Sequence, residues 1–271
     1  VRKTWDWGRS SDQEKAPPGI DVTKPSPARI YDVFLGGKDN YAVDRAAAQV
    51  ALQAGPDIPQ AARENRAFLG RAVRFAIDNG IRQFIDLGTG LPTRGNVHEA
   101  AQSAAPDSRV IYVDNDPIVL AHSRALLPTS HSTAVIQADL REPATVLDHP
   151  STRGLIDFDQ PVAVLMLAVL HFTTDEQAVD AIATFHDAVV PGSHLIISHS
   201  TTEGHGEAGE QATGAWKNAT AQIRSRTREE VEALFKGYEL LEPGVVWVPQ
   251  WRSDNADDGT RWMYAGVGRK L

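Results

Sequence analysis

The chain contains no cysteine. Disulfides are therefore excluded, and with them thiolate nucleophiles and thiolate metal ligands. Long hydrophobic runs are missing too. The longest, Pro161 to Leu170, is about half of what a membrane-spanning helix needs, so no membrane partner is expected. Positive charge is also in short supply: 27 Lys and Arg stand against 35 Asp and Glu, a net charge of −8. Such a chain repels a phosphate backbone overall, and nucleic acid is not expected as a partner. Arg2, Lys3 and Arg9 are followed by no apolar core of signal-peptide length, which points to a cytoplasmic location. Internal repeats and heptads are absent.

What is present is ample apolar content, 42% of 271 residues, enough for one main α/β domain with an extension. Residues 1–20, ending in Pro17-Pro18-Gly19, read as a disordered tail. Residues 21–80 read as a helical extension, with helices over Pro27 to Leu35, Ala42 to Ala54 and Arg63 to Asn79. From Ile81 onward, short β-type runs alternate with helices: strands are expected near 82–87, 109–114, 133–138, 162–167 and 193–198. That alternation predicts a doubly wound parallel sheet. Helix starts are legible at Asn96 with Glu99, at Asp116-Pro117, and at Thr227 with Glu230. Two late runs, Val245 to Val248 and Trp262 to Val267, are expected to form an antiparallel edge hairpin.

The most informative stretch is Phe84-Ile-Asp-Leu-Gly-Thr-Gly90, an apolar strand that stops where Gly88 and Gly90 let the backbone bend and approach a ligand. Two further strands end in carboxylates, at Asp114 and Asp139. Three acid-tipped strands in succession point to one pocket at the carboxyl edge of the sheet.

A parallel core followed by an antiparallel pair resembles the class I methyltransferase superfamily, with its Rossmann-like doubly wound sheet. Asp86-Leu-Gly-Thr-Gly90 looks like its first motif, Asp114-Asn-Asp-Pro117 its second and Ala138-Asp139-Leu140 its third. Nearly the whole chain is similar to an actinobacterial S-adenosyl-L-methionine-dependent methyltransferase family once catalogued as a domain of unknown function. The similarity lies in Asp21 to Asp32, Leu35 to Arg45 and Asp86 to Thr93. It implies a shared fold, with residues 81–271 as the cofactor-binding domain and residues 21–80 as its lid, and S-adenosyl-L-methionine as cofactor. It implies no settled substrate.

On that resemblance Asp114, with Asn115 beside it, would accept from the ribose hydroxyls. Asp139 and the Leu140 backbone would hold adenine, unless Asp139 caps the next helix. Asp86 would face the methionine ammonium or buckle the glycine turn; Gly88, Thr89 and Gly90 would lie along the methionine moiety. Lys38, Asn40 and Tyr41 would fold over the cofactor as part of a lid, or form a plain interhelical loop. Arg66 would hold the methionine carboxylate, or make a surface ion pair.

Methyl transfer to a neutral thioether leaving group relies mainly on alignment. An acceptor that must lose a proton still needs a base, and His171 and His199 are the candidates, each also readable as a packed structural histidine. Ser200 to Gly214 reads as a mobile loop at the mouth. No metal site is expected: the spacing of His199, Glu203, His205 and Glu207 fits no compact zinc pattern. The expected activity is methyl transfer to an oxygen or nitrogen of a small molecule. The alternative is a non-catalytic protein binding S-adenosylmethionine or S-adenosylhomocysteine in a sensing or partner-binding role, which a pocket with no second cavity would favour. A nicotinamide-dependent dehydrogenase is disfavoured because Thr93, preceded by Pro92, stands where the third glycine belongs. Oligomeric state is not legible.

Overall fold

Helices α1 (Pro27–Leu35), α2 (Ala42–Ala54) and α3 (Ile58–Asp78) lead into the sheet of this computed structural model, which describes residues 21–92, 95–126, 132–254 and 259–271. The tail reading for residues 1–20, and Thr93, lie outside the described residues. α1 has Pro27 in its first turn, where a missing N–H leaves no bond unmade, and closes on Gly36 at φ +76°. α2 starts with a capping box between Tyr41 and Asp44. The Asp44 carboxylate is fully buried, accepting from Ser26 N at 2.9 Å, Arg29 Nε at 2.8 Å and Tyr41 N at 2.8 Å. This buried ion pair fastens the start of α1 to the start of α2. α3 begins five residues earlier than its expected start at Arg63. Its buried stripe runs through Ala61, Ala62, Asn65, Phe68, Leu69 and Ala72, a 3.6-residue period whose start is obscured in the sequence by Pro59.

Five parallel strands follow, β1 (Gln83–Leu87), β2 (Arg109–Asp114), β3 (Thr133–Gln137), β4 (Val162–Leu167) and β5 (His194–Ser200), in the spatial order β3-β2-β1-β4-β5. The chain therefore reverses direction across the sheet between β1 and β4, the position at which open α/β sheets hold ligands. Helices α4 (Val97–Ala104), α5 (Pro117–Leu126), α6 (Pro143–Asp148), α7 (Pro150–Leu155) and α8 (Asp175–Ala188) make the crossovers; α9 (Gly206–Thr213) and α10 (Arg228–Ala233) follow β5. Side chains alternate between two cores. Phe84, Val110, Tyr112 and Leu165 pack on the α3 and α4 side, whereas Ile85, Ile111, Val164 and Ile197 pack with residues of α8 and α10. The sheet is thus mostly parallel with helices on both faces.

Of the last strands, β6 (Tyr238–Leu240), β7 (Val246–Trp247) and β8 (Met263–Lys270), the first two each pair antiparallel with β8, and β8 pairs antiparallel with β5. β7 and β8 pair as expected, but β8 is not an edge: it lies along the whole of β5, from His194↔Arg269 to Ser200↔Met263, and carries both β6 and β7 on its far side. The stretch expected as a mobile mouth loop contains α9, which packs against α2. Its glycines lower helix propensity, yet Gly209 sits where a Cβ would be 2.8 Å from Thr202, so close packing outweighs propensity. Among the described residues no helix is long and apolar enough to cross a membrane.

Candidate functional site

At the end of β1 the backbone turns through Gly88 at φ +71° and Gly90 at φ +66°. The turn is held from β2. Gly88 N and Thr89 N donate to Val113 O at 2.9 and 3.1 Å, and Val113 N donates to Thr89 Oγ1 at 3.2 Å. The Asp114 carboxylate accepts from Gly90 N and from Asp116 N, each at 2.9 Å. Asp114 thus fixes the glycine turn while its remaining lone pairs stay available. Burial pushes its carboxyl up to about 6, against the pull of those backbone donors.

Asp86 is more extreme. Burial raises it to about 7, Arg66 opposes this and Asp114 adds to it, and no hydrogen bond from the described residues reaches its carboxylate. Arg66 reaches across from α3 with Nη2 donating to Gly95 O at 3.0 Å, beside the start of α4. Asp139 is the opposite case. Arg141 hydrogen-bonds it and holds it down at about 2, and Asn115 Nδ2 donates to it at 3.0 Å.

These groups line one cavity of about 700 Å³. Asp86, Gly88, Thr89, Gly90, Asp114, Asn115, Asp139, Leu140 and Arg66 all line it. Lys38, Asn40 and Tyr41, expected over the cofactor, do not. Asn40 Nδ2 instead donates to Asp32 Oδ2 at 2.8 Å and to Gly37 O at 3.1 Å, and its own carbonyl accepts from Arg45. A Cβ on Gly37 would lie 1.9 Å from Asp32 Oδ1, so this loop is a tight knot around Asp32. Tyr41 packs with Leu91, Ile118 and Val119.

The residues that cover the strand tips are Ser26 to Arg29, which the sequence reading missed. Ser26 Oγ donates to Asp116 Oδ2 at 2.7 Å. The Ser-Pro pair reads as an ordinary helix cap, but the hydroxyl makes no cap bond. It ties α1 to the tip of β2, and only the three-dimensional arrangement reveals that.

The two histidines differ. His171 lines the cavity just past β4 and accepts from Ser200 N at its Nδ1, 3.3 Å away. Burial, then the charge of its neighbours, holds it well below the usual histidine range. His199 lies at the end of β5 outside the cavity lining, fully buried. Its Nε2 accepts from Arg226 Nη1 at 2.6 Å and its Nδ1–H donates to Ser200 O at 2.7 Å. Burial and then Arg226 push it down to about 3. With both nitrogens engaged and no access to the cavity, His199 has no lone pair to offer as a base, contrary to expectation. Arg226, 3% exposed, also donates to Leu170 O at 2.9 Å and pairs with Asp175. Arg226→Met would orphan the buried acceptors His199 Nε2 and Leu170 O, at about 1–3 kcal/mol each, a fall of roughly 10 °C in melting temperature by calorimetry. An unchanged melting temperature would show that the buried guanidinium does not brace this strand edge.

The comparisons with known proteins fit this geometry. Residues 13–271 match the S-adenosyl methyltransferase family. The chain belongs to that family. A candidate methyltransferase from Thermobifida fusca YX, solved by crystallography, is 43% identical with a TM-score of 0.88, covering 95% of this chain and 99% of its own. A DUF574 family protein from Streptomyces avermitilis MA-4680 is 41% identical, also with a TM-score of 0.88, over 93% of this chain and 99% of that one. No curated protein matches the chain. Membership in the S-adenosyl methyltransferase family makes S-adenosyl-L-methionine the cofactor and assigns the fold to the class I methyltransferases. The residues present fit that group: a buried carboxylate at Asp86 without a hydrogen-bond partner among the described residues suits an ammonium, and the Asp114 carboxylate retains acceptor capacity for hydroxyls.

Proposed function

We propose that the chain is an S-adenosyl-L-methionine-dependent methyltransferase that methylates an oxygen or nitrogen of a small molecule. The observation that carries this reading is the continuity of the cavity. The carboxylate-lined end at the tips of β1, β2 and β3 runs without a wall into a second, largely apolar end beneath Tyr31, Phe34, Phe172, Trp216 and Trp262. A protein that only sensed the cofactor would need the first end alone, so the second end supports transfer over sensing. A volume of about 700 Å³ lies within the range of small-molecule sites.

In this reading Asp114 accepts from the ribose hydroxyls with Asn115 at its side, Asp139 and Leu140 meet the adenine, and Asp86 pairs with the ammonium. Gly88 to Gly90 run beside the methionine chain, whose carboxylate Arg66 faces. α1 to α3 act as the cover that excludes water, with Ser26 as its latch on Asp116. When bound, the cofactor supplies a methyl group on a sulfonium centre. The protein's task is to orient an acceptor towards it, worth many kcal/mol in avoided entropy loss.

Calorimetry on stripped protein tests this. Micromolar affinity for S-adenosylmethionine and S-adenosylhomocysteine, with none for NAD, is expected; the reverse order defeats the proposal. A pH signature is also expected. Asp86 stands above its ordinary value in the folded protein, so the stability it contributes is present below about pH 4 and lost as pH climbs towards 7. The cationic ligand prefers the ionised form, so affinity should rise by up to about tenfold per pH unit between pH 5 and 7. Asp86→Asn should reduce that rise to the share carried by Asp114, which stands at about 6; a profile unaffected by the substitution removes Asp86 from the ammonium role.

A further inference from the structure

β5 outlasts its neighbour β4, and the backbone left over decides the chemistry of His171. Thr201 N donates across to Trp262 O at 3.0 Å, so Ser200 N, one residue earlier, points to the other side of the strand. On that side β4 has already ended at Leu167, opposite Ser198. His171, in the turn after β4, takes the Ser200 N–H at Nδ1, 3.3 Å away. A backbone N–H can only donate, so Nδ1 keeps its lone pair and the neutral ring carries its hydrogen on Nε2. His199 has the opposite arrangement: its Nδ1–H goes to Ser200 O at 2.7 Å and its Nε2 accepts from Arg226. The N–H and C=O of one residue thus hold two histidines, ring centroids 5.4 Å apart, in opposite tautomers.

The Nε2–H of His171 is open to the cavity. The residue is 5% exposed and lines the chamber. Its Nε2 has no partner among the described residues, yet it is not sealed in the wall as the unpartnered Asn65 Oδ1 and Trp216 Nε1 are. The ring is also held in place: it packs edge to face on Phe172 with centroids 4.4 Å apart and on His199 behind it, and the His171 carbonyl accepts from Arg224 N at 2.7 Å. Turning the ring over would strand the Ser200 N–H. Charging it is opposed as well. The groups behind it are His199 and Arg226, with Arg224 joined to Arg226 through Asp175, and burial followed by His199 and Arg226 keeps the ring neutral.

From this we infer that His171 docks the methyl acceptor as a hydrogen-bond donor instead of deprotonating it, and that the acceptor is a ring-bearing small molecule presenting a carbonyl oxygen or a ring nitrogen to Nε2–H. The inference rests on the reading of the cavity as a methyl-transfer site. The preference for rings comes from the walls beside His171: Phe172 adjoins it, and Phe34 and Trp216, edge to face at 6.1 Å, line the same chamber. Flat molecules suit such walls. The lone pair that Nε2–H takes up is not the one that attacks the methyl group. The docked atom is therefore a handle, and what His171 contributes is the orientation of the reacting atom towards the sulfonium methyl. Where the reacting atom has a proton to shed, His171 is not its recipient, because Nδ1 is committed to Ser200.

The test begins with S-adenosylhomocysteine titration alone; failure to bind at this stage sinks the methyltransferase reading itself. On protein saturated with that ligand, long-range proton–nitrogen NMR should show both histidines neutral at pH 7, with hydrogen on Nε2 of His171 and on Nδ1 of His199. His171 found with hydrogen on Nδ1, or charged, overturns the inference while leaving cofactor binding intact. Isosteric probes then read the docking: quinoline against naphthalene, and 1-indanone against indane, each titrated into the loaded wild type and into loaded His171→Phe. Hydration differences within a pair are the same for both proteins, so the change in affinity ratio isolates the hydrogen bond. In at least one pair the wild type should favour the acceptor-bearing member by about fivefold or more relative to His171→Phe. Equal ratios in the two proteins, or no binding of any probe to the loaded wild type, overturn the inference. A readout on the wild type alone covers a variant that does not fold. Quinoline or 1-indanone should move the His171 Nε2 nitrogen signal downfield, and naphthalene and indane should not; a signal that neither acceptor-bearing probe moves counts against docking at His171.

Discussion

Asp114→Ala is expected to weaken S-adenosylmethionine binding by more than 100-fold, because one carboxylate performs two tasks. Its direct contribution is a pair of hydrogen bonds from ribose hydroxyls to a charged acceptor, at about 1.5–3 kcal/mol each. Its indirect one is the glycine turn: Gly90 N and Asp116 N both donate to it, and without it both N–H groups at the strand tips lose their partner. A fall of about 3 kcal/mol in binding alone corresponds to more than two decades in Kd. The turn adds a loss of stability that the sequence reading, which treats Asp114 as a ligand group only, does not anticipate. Asp114→Asn separates the two roles. The amide keeps one oxygen, so one of the two backbone donors remains satisfied and the fold loses less than in Asp114→Ala, while the charge that strengthens the ribose bonds is gone. Calorimetric titration alongside chemical denaturation of both variants distinguishes them; wild-type affinity in Asp114→Ala removes the residue from the cofactor site altogether.

How much of this is legible in the sequence depends on whether the signal is local. β1, β2 and β4 end at or next to the expected residues, and α1 and α2 match their expected spans, because apolar periodicity and first-turn proline are local signals. α3 starts earlier than expected since Pro59 looks like an interruption, although it is a first-turn proline. α9 is misread because Gly206 and Gly209 lower its helix propensity, while its packing against α2, distant in the sequence, lies outside any local window. The site divides in the same way. Asp86, Gly90 and Asp114 are readable because a strand tip in an α/β sheet has a known place. Ser26 is not: its partner Asp116 is 90 residues away and its Ser-Pro context has a sufficient local explanation. The loop around Lys38 and Asn40 looks like a polar lid because sequence cannot show that Asp32, one helix turn back, absorbs its donors. The histidines are the clearest case. Both occur where a base would be placed, yet tautomer is decided by Ser200 and Arg226, and those contacts exist only in the folded chain.

Gly88→Ala is expected to be the most destabilising of the glycine substitutions at the strand tips, and the comparison with Gly90→Ala explains why two glycines in one motif are not equivalent. Both adopt left-handed backbone, at φ +71° and +66°, so an alanine at either costs about 1–2 kcal/mol in conformational strain. At Gly90 nothing lies within 4 Å of an added Cβ, and strain is the whole of the stability effect. At Gly88 the added atom would be 2.2 Å from Val169 Cγ2 and 2.6 Å from Val169 Cβ. Val169 cannot easily turn aside: it is β-branched, 9% exposed, and follows Ala168, which is itself held at φ +53° by Ser198. Overpacking of this kind adds about 1–3 kcal/mol, for a total near 4 kcal/mol in Gly88→Ala, against about 1.5 kcal/mol in Gly90→Ala. The contact is also where the turn after β1 leans on the turn after β4, the two sides of the switch point. A double-mutant cycle with Val169→Ala tests it by denaturation. Removing the nearer methyl relieves the 2.2 Å contact but leaves the 2.6 Å one, so the rescue is partial, with a coupling of about 1 kcal/mol. Strict additivity of the two substitutions would mean that the turns on either side of the cavity do not support each other. With coupling present, the glycine that makes room for protein and the glycine that makes room for ligand are separate functions of one short motif.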